Sequence, residues 1–320
     1  MRRPLEPLGS RNGPCYNFGS LLGRPGRLSG LFPLVEALTV ASRWDRVAVI
    51  GVGLLGGSIA LALRRRGLCE SVAGIGRDSS KLQRAVEAGV LDEGTTDLAA
   101  GVADADVVLV ATPVDHVVPY VRAAAEGARR ARLITDVGSV KAGIVEALGD
   151  LSPSVPFVGS HPLAGSEQSG FEHASPELLE GRVVFVTPTE RTRSEVTGEA
   201  RAFWESLGAR VESIDAAEHD RVMAAVSHLP HLVASALAAA VPDFPAHYFG
   251  TGFRDTTRLA SGSVAMWVPI LLQNRTAIAE AWKRFREMVE TWEEALDAPD
   301  PNRLADLLTQ GKRRRDALGS

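Results

Sequence analysis

The run Arg46-Val-Ala-Val-Ile-Gly-Val-Gly-Leu-Leu-Gly-Gly-Ser-Ile-Ala-Leu-Ala-Leu63 limits the fold more than any other stretch of the chain. An apolar, β-type run ends at Ile50 and enters Gly51-x-Gly53-x-x-Gly56, and a helical pattern continues to Arg66. Gly51 suits a tight turn, Gly53 lets backbone approach a pyrophosphate, and Gly56 lets helix pack closely on strand. The first N–H groups of the helix and the positive end of its dipole then face the phosphates. The strand before and the helix after supply the context that glycine spacing alone lacks. Gly51, Gly53, Leu54, Leu55 and Gly56 are therefore expected to hold a dinucleotide.

Beyond this loop the chain alternates. Strand-like runs at 47–50, 72–75, 107–111, 133–136, 157–159, 183–187 and 211–214 are separated by helical patterns at 55–66, 81–88, 116–127, 142–149 and 192–207. That alternation implies an α/β, doubly wound, mostly parallel sheet of the Rossmann type. Ligands on such sheets bind at the carboxyl ends of the strands. Thr112 and Pro113 follow one strand and are expected beside the coenzyme. After Ile214 the strand signal stops. Alanine-rich helical spacing over 216–240, a long amphipathic pattern over 267–296 and a final helix over 303–318 imply an all-helical second domain. The expected division is an extension at 1–43, a dinucleotide-binding domain at 44–215 and a helical substrate and dimerisation domain at 216–320. The extension shows no sustained period and reads as disordered or as a start-site artefact. Its arginine-rich, acid-poor composition also mimics a transit peptide.

Composition excludes other classes. The formal net charge of −4 gives no general attraction to nucleic acid or anionic membrane. No apolar run reaches the ~18 residues of a membrane span. Cys15 and Cys69 make neither a disulfide framework nor a metal cluster. The expectation is a cytoplasmic, reduced protein with no nucleic-acid, membrane or metal partner.

The second strand should carry, at its end, the acid that grips a ribose 2′-hydroxyl. The sequence instead has Gly76-Arg77-Asp78. Glycine leaves room and Arg77 offers a charged fork to a 2′-phosphate, so NADP is the expected coenzyme, with NAD possible if Asp78 is a displaced acid. Asp78 has a second reading, as the cap of the next helix.

Three polar constellations follow strands or lie in the helical half. In Asp136-Val-Gly-Ser139-Val-Lys141, Ser139 reads either as a helix cap or as a hydroxyl facing substrate. Lys141 reads as a base or, by helix geometry, as an exposed first-turn residue, and exposure is expected. In the loop Ser160-His161-Pro-Leu-Ala-Gly-Ser-Glu167, His161 is the side chain suited to take a proton near neutral pH. Glu167 orients a neighbour or caps the following helix. Ser227-His228-Leu-Pro-His231 places two histidines three apart, without the Cys or H-E-x-x-H context of a zinc site. One is expected to be structural and the other to line the cleft. Arg254-Asp255-Thr-Thr-Arg258 offers one arginine to pair with Asp255 and another to fork a substrate carboxylate.

Taken in order, the glycine loop at 51–57, Asp136-x-Gly-Ser-x-Lys141, His161-Pro-x-Ala-Gly-x-Glu167, Ser227-His-Leu-Pro-His231, Gly252-Phe-x-Asp-x-Thr-Arg258, Met266-Trp267 and Asn274 resemble the prephenate/arogenate dehydrogenase family. The resemblance covers about residues 45–310. It implies oxidative decarboxylation of prephenate or arogenate with hydride transfer to NAD(P), in tyrosine biosynthesis. By resemblance, His161 takes the ring hydroxyl proton, Ser139 bonds the same hydroxyl, and Arg258 anchors the side-chain carboxylate. His231 binds substrate, Glu167 shapes the pocket and Asp255 buttresses the arginine loop. The resemblance further implies a homodimer formed through the helical domain. Two alternatives share the layout. A β-hydroxyacid dehydrogenase places a lysine base in the helical half, and residues 216–281 hold none. A dinucleotide-sensing dimer without catalysis would not need His161, Ser139 and Arg258 to converge.

Overall fold

The computed structural model describes residues 43–165 and 168–319. The expectations for the first 42 residues, Cys15 among them, and for Glu167 lie outside the described residues.

Strands β1 (Trp44–Ile50), β2 (Cys69–Ile75), β3 (Glu93–Thr95), β4 (Val107–Val110) and β5 (Leu133–Asp136) form a parallel sheet in the order β3-β2-β1-β4-β5. Helices α1 (Leu54–Arg65), α2 (Ser79–Glu87), α3 (Leu98–Val102) and α4 (Val114–Gly127) make the crossovers, and α5 (Ala142–Ala147) follows β5. All four residues of β4 and the last four of β1 are buried. Strands covered on both faces need such unbroken apolar runs, and each fully buried valine or leucine contributes roughly 1.5–3 kcal/mol. The order reverses between β2-β1 and β4-β5, so the ends of β1 and β4 open a crevice. The short β3 and α3 escape a periodicity reading because neither exceeds five residues.

A second sheet, β6 (Gly159–Pro162), β7 (Val183–Thr187) and β8 (Arg210–Ser213), continues from the first. Strand β7 runs parallel to β8 through the crossover α6 (Ser194–Ser206), but β6 runs antiparallel to β7. The strand expected at 157–159 is therefore displaced. Phe157 makes only an isolated parallel bridge to Ile134, while the ladder begins at Gly159 and places His161 opposite Phe185. His161 is thus a strand residue, not a loop residue, and it is buried.

The seam between the sheets carries a charge pair. Asp136 at the end of β5 accepts from Gly138 N–H at 2.8 Å and from Ser160 N–H at 3.1 Å. The Lys141 ammonium bonds the same carboxylate and donates to the Ser160 carbonyl at 2.9 Å. Both side chains are 0% exposed. This corrects the expectation of an exposed Lys141. The turn after β5 folds back, so its stem runs beneath the sheet edge instead of into solvent. Burial lowers the Lys141 pKa, and the Asp136 charge opposes that shift.

From Ala216 onward the described residues contain no strand. Helix α7 (Ala216–Met223), capped by Asp215, passes through a wide π-type turn at Ala224–His228 into α8 (Leu229–Ala240). Then follow α9 (Thr251–Thr257), a 3-10 turn at Arg258–Ser261, α10 (Val264–Gln273), α11 (Arg275–Asp297) and α12 (Pro301–Asp316). The single helix expected over 267–296 breaks at Asn274, whose buried amide leaves helical geometry to donate to the Asp220 carbonyl at 2.7 Å. The expectation about apolar length also needs correcting. The continuous helix Ala216–Ala240 is long and apolar enough, by length and composition, to cross a membrane. Counting uninterrupted apolar residues missed it because Ser227, His228, Pro230 and His231 punctuate the run. Its buried face carries His219, His228 and His231.

Removing one partner of a buried ion pair strands the other. Lys141→Met is expected to lower stability by ~3–5 kcal/mol in urea denaturation. A change within about 0.5 kcal/mol, as for an exposed lysine, would contradict the seam described above.

Candidate active site

At the crevice the three glycines do different work. Gly51 has φ +96°, and a Cβ there would lie 2.5 Å from the Ala111 carbonyl oxygen. A Cβ on Gly56 would lie 2.2 Å from the Gly51 carbonyl oxygen. Both positions exclude side chains by internal crowding. Gly53 differs. Its φ of −106° suits any residue, and a Cβ there would meet no atom within 4 Å. No feature of the chain itself demands glycine at 53. The open space lies over the start of α1, whose N-terminus has no side-chain cap and no acid in its first turn. Asp78, Asp97, Asp215 and Asp300 cap α2, α3, α7 and α12. Thr112, following β4, buries a hydroxyl oxygen with no hydrogen-bond partner among the described residues. An uncapped helix start, a Cβ-free cradle and an orphaned hydroxyl together fit a bound dinucleotide.

At the end of β2, Gly76 faces only Leu82, at an ordinary 3.5 Å from a built Cβ. Arg77 is exposed. Of the two readings of Asp78, the cap is the one seen: its carboxylate accepts from Lys81 N–H at 3.0 Å.

The catalytic candidates sit one strand further. Ser139 is half-buried and caps no helix. Its hydroxyl makes no hydrogen bond among the described residues. The start of α5 is served instead by Asp220 of α7, which accepts from Lys141 N–H at 2.8 Å and Ala142 N–H at 2.9 Å. The same Asp220 Oδ1 lies 2.8 Å from His219 Nδ1, and His219 Nε2 lies 2.8 Å from His161 Nδ1. Burial, then the neighbouring His219, Lys141 and His228, hold the His161 pKa well below the usual histidine range. The ring is therefore neutral at neutral pH. Sequence reasoning passed over His219 and Asp220. The available signal was a His-Asp pair one turn past an Asp cap, at the junction where strands give way to helices.

Both expected histidines are buried, in different surroundings. His228 is fully buried beside the Asn274 amide, 3.1 Å away, and burial pushes its pKa down to about 4. His231 stacks on Trp267 with ring centroids 3.7 Å apart and planes 12° apart. Burial lowers its pKa, and its Nδ1 is buried without a partner among the described residues. Trp267 in turn packs with Val114, Val140 and Ile270. Contacts thus run from His231 through Trp267 to the cluster of Val114, Val140 and Ile270.

Arg258 opens the 3-10 turn and is exposed. Arg254 does not pair with Asp255. Its guanidinium donates to the carbonyls of Phe249 and Ala246, both at 3.1 Å, and closes the loop ahead of α9. Asp255 is exposed and makes no ion pair among the described residues.

Comparison with known proteins agrees with this layout. Residues 59–213 match the family described as prephenate dehydrogenase, nucleotide-binding domain, and residues 215–310 match prephenate dehydrogenase, dimerization domain. The chain is 34% identical to a prephenate dehydrogenase of Bacillus subtilis, over 79% of this chain and 71% of that protein. It is 31% identical to a cyclohexadienyl dehydrogenase of Zymomonas mobilis, over 86% and 96%. A crystal structure of prephenate dehydrogenase from Aquifex aeolicus with hydroxyphenyl propionate and NAD+ superposes with a TM-score of 0.79 at 32% identity, covering 86% of this chain and 98% of that one. An α/β half with a coenzyme crevice, a helical half closing on it and these matches across both halves lead to one conclusion: the chain belongs to the prephenate dehydrogenase family.

Proposed function

We propose that this chain oxidises and decarboxylates prephenate to 4-hydroxyphenylpyruvate in tyrosine biosynthesis, with arogenate as the alternative substrate. The observation that carries this reading is His161: a buried, neutral imidazole on β6, the strand that follows the dinucleotide-type sheet, held by a hydrogen bond through Nδ1. Such a group is a base that needs no prior deprotonation.

The nicotinamide coenzyme, when bound, supplies the acceptor for the hydride of the carbinol carbon. The chain supplies position and a proton site. His161 takes the ring hydroxyl proton as the carbinol becomes a carbonyl. Loss of CO2 leaves its electron pair in the ring, the ring becomes aromatic, and the oxygen takes the same proton back as a phenol. His161 therefore shuttles one proton and is unchanged after each turnover. Ser139, with a hydroxyl not spent on the fold, bonds the same oxygen. Arg258 forks the side-chain carboxylate, His231 lines the pocket on its Trp267 platform, and Glu167 and Asp255 shape its margin. Gly51, Gly53, Leu54, Leu55, Gly56, Thr112 and Pro113 hold the coenzyme, and Arg77 meets a 2′-phosphate, so NADP is preferred over NAD. The absence of lysine from 216–281 disfavours a β-hydroxyacid dehydrogenase.

We further place the chain in the cytoplasm as a homodimer. The helical half leaves large apolar side chains uncovered, among them Val226 (64% exposed), Val264 (75%), Leu272 (65%) and Leu296 (65%). Apolar surface of this kind suits a subunit interface.

Four outcomes test these assignments. His161→Asn should lower kcat by about 10²–10⁴ with coenzyme affinity nearly intact. In the parent enzyme the acid limb of kcat/KM should fall below pH ~6.5, because a depressed histidine pKa keeps the base neutral to lower pH. Wild-type turnover in the Asn variant would remove His161 from the mechanism. Arg258→Ala should chiefly raise KM, by about 2–3 kcal/mol of lost binding, and more than Arg254→Ala. The opposite ranking would assign the carboxylate to Arg254. For the coenzyme, kcat/KM should favour NADP by about tenfold or more, and Gly76→Asp with Arg77→Ile should invert that order. A parent enzyme that prefers NAD would sink the Arg77 assignment.

A further inference from the structure

The hydrogen bonds behind His161 fix more than its position. We propose that His219 and Asp220 are positioning residues that set the tautomer of His161, with the proton on Nδ1 and a bare lone pair on Nε2. The proposal rests on His161 being the base, and it names which of the two ring nitrogens acts and why.

The argument starts at the far end. Both Asp220 oxygens accept from backbone amides, Lys141 N–H on Oδ1 and Ala142 N–H on Oδ2. Those donors make the carboxylate an acceptor toward everything else it meets. His219 Nδ1, 2.8 Å from Oδ1, must then carry a proton, since a lone pair there would face a carboxylate lone pair. In this proposal His219 is a singly protonated ring, its one proton held by Asp220. A neutral ring protonated on Nδ1 presents a lone pair on Nε2. That lone pair faces His161 Nδ1 at 2.8 Å, so His161 Nδ1 is the donor and its Nε2 is bare.

The links span three places in the fold: Asp220 and His219 on α7, His161 on β6, and the amide donors at the start of α5. Phe185 of β7 sits edge-on to His219 with centroids 5.6 Å apart and walls the pair on its apolar side. The titratable groups facing His161 are His219 from α7, Lys141 from the turn before α5 and His228 from the π-type turn. Lys141 is bound to Asp136, and His228 is bound to Asn274. Neither competes for His161 Nδ1. During turnover the proton taken on Nε2 makes His161 cationic for as long as the oxygen lacks it. The His219 lone pair, backed by the Asp220 charge, stabilises that cation without removing its Nδ1 proton. The proton thus stays available to return to the phenol oxygen.

The test is the tautomer itself, read by two-bond 15N–1H correlation spectra of the full-length, histidine-labelled protein near neutral pH, without substrate or coenzyme. His161 and His219 should both be neutral with the proton on Nδ1. His219→Gln keeps an acceptor toward His161, and should keep its tautomer and kcat within about tenfold of the parent. His219→Leu removes the acceptor. It should move the His161 proton to Nε2 and lower kcat by about 10–100-fold, with KM within about threefold. Asp220→Asn keeps a carbonyl acceptor at the Oδ1 position for His219 and for Lys141 N–H, so it should keep the His161 tautomer while removing the charge behind it, and the parent spectrum decides the proposal even where the leucine variant fails to fold. A parent protein with His161 protonated on Nε2, or a folded His219→Leu protein with the parent tautomer, overturns the proposal. Failure of the His161 assignment is read separately, as retained turnover in His161→Asn, because the spectra involve no catalysis.

Discussion

The buried pairing of Lys141 with Asp136 is the interaction on which the site depends. Asp136 terminates β5, and its carboxylate gathers the Gly138 amide, the Ser160 amide and the Lys141 ammonium. Those three contacts set where the five-stranded sheet hands over to β6. They therefore set where Ser139 and His161 stand relative to each other. Neutral hydrogen bonds could satisfy the carboxylate, but an uncompensated charge at full burial would cost several kcal/mol. The lysine supplies the compensation and uses its remaining reach to bond the Ser160 carbonyl. Its backbone N–H serves a second purpose, as a donor to Asp220. One residue thus joins the seam between the sheets to the helical half.

Glycine and aspartate divide the helix starts between them. Four helices begin under an Asp side chain that fills their free amides. Helix α1 begins under Gly53 with nothing in that place. The difference lies in side-chain chemistry, since a Cβ at 53 would meet no atom within 4 Å. An Asp there would close the cradle and set a negative charge against phosphate.

Much of this was readable in the chain. The glycine spacing, the unbroken valine runs and the loss of strand signal after Ile214 led to the fold class, and those patterns survive because parallel strands and helices impose periods. Ordered motifs pointed to His161, Ser139 and Arg258. What escaped depends on contacts between distant segments. Lys141 looked exposed because helix periodicity carries no information about a turn that folds beneath a sheet. His219 and Asp220 looked like an ordinary first turn, since their partners lie 58 and 79 positions away. The break at Asn274 was hidden for the same reason: the side chain leaves the helix to reach Asp220. The antiparallel sense of β6 was invisible because direction is a property of the pairing and not of the strand.

The wide turn at Ala224–His228 acts as a phase shifter. In a regular α-helix each residue advances the side chain by about 100°. Over the 12 positions from His219 to His231 that would leave the two rings about 120° out of phase. A π-type turn absorbs one residue, so the interval counts as 11 and the offset shrinks to about 20°. Both rings are buried on one face as a result, His219 behind His161 and His231 on Trp267. A chain shortened by one residue within 224–228 could therefore run as plain α-helix and keep both histidines in place. At the present length, straightening the turn would rotate one of them out of the site.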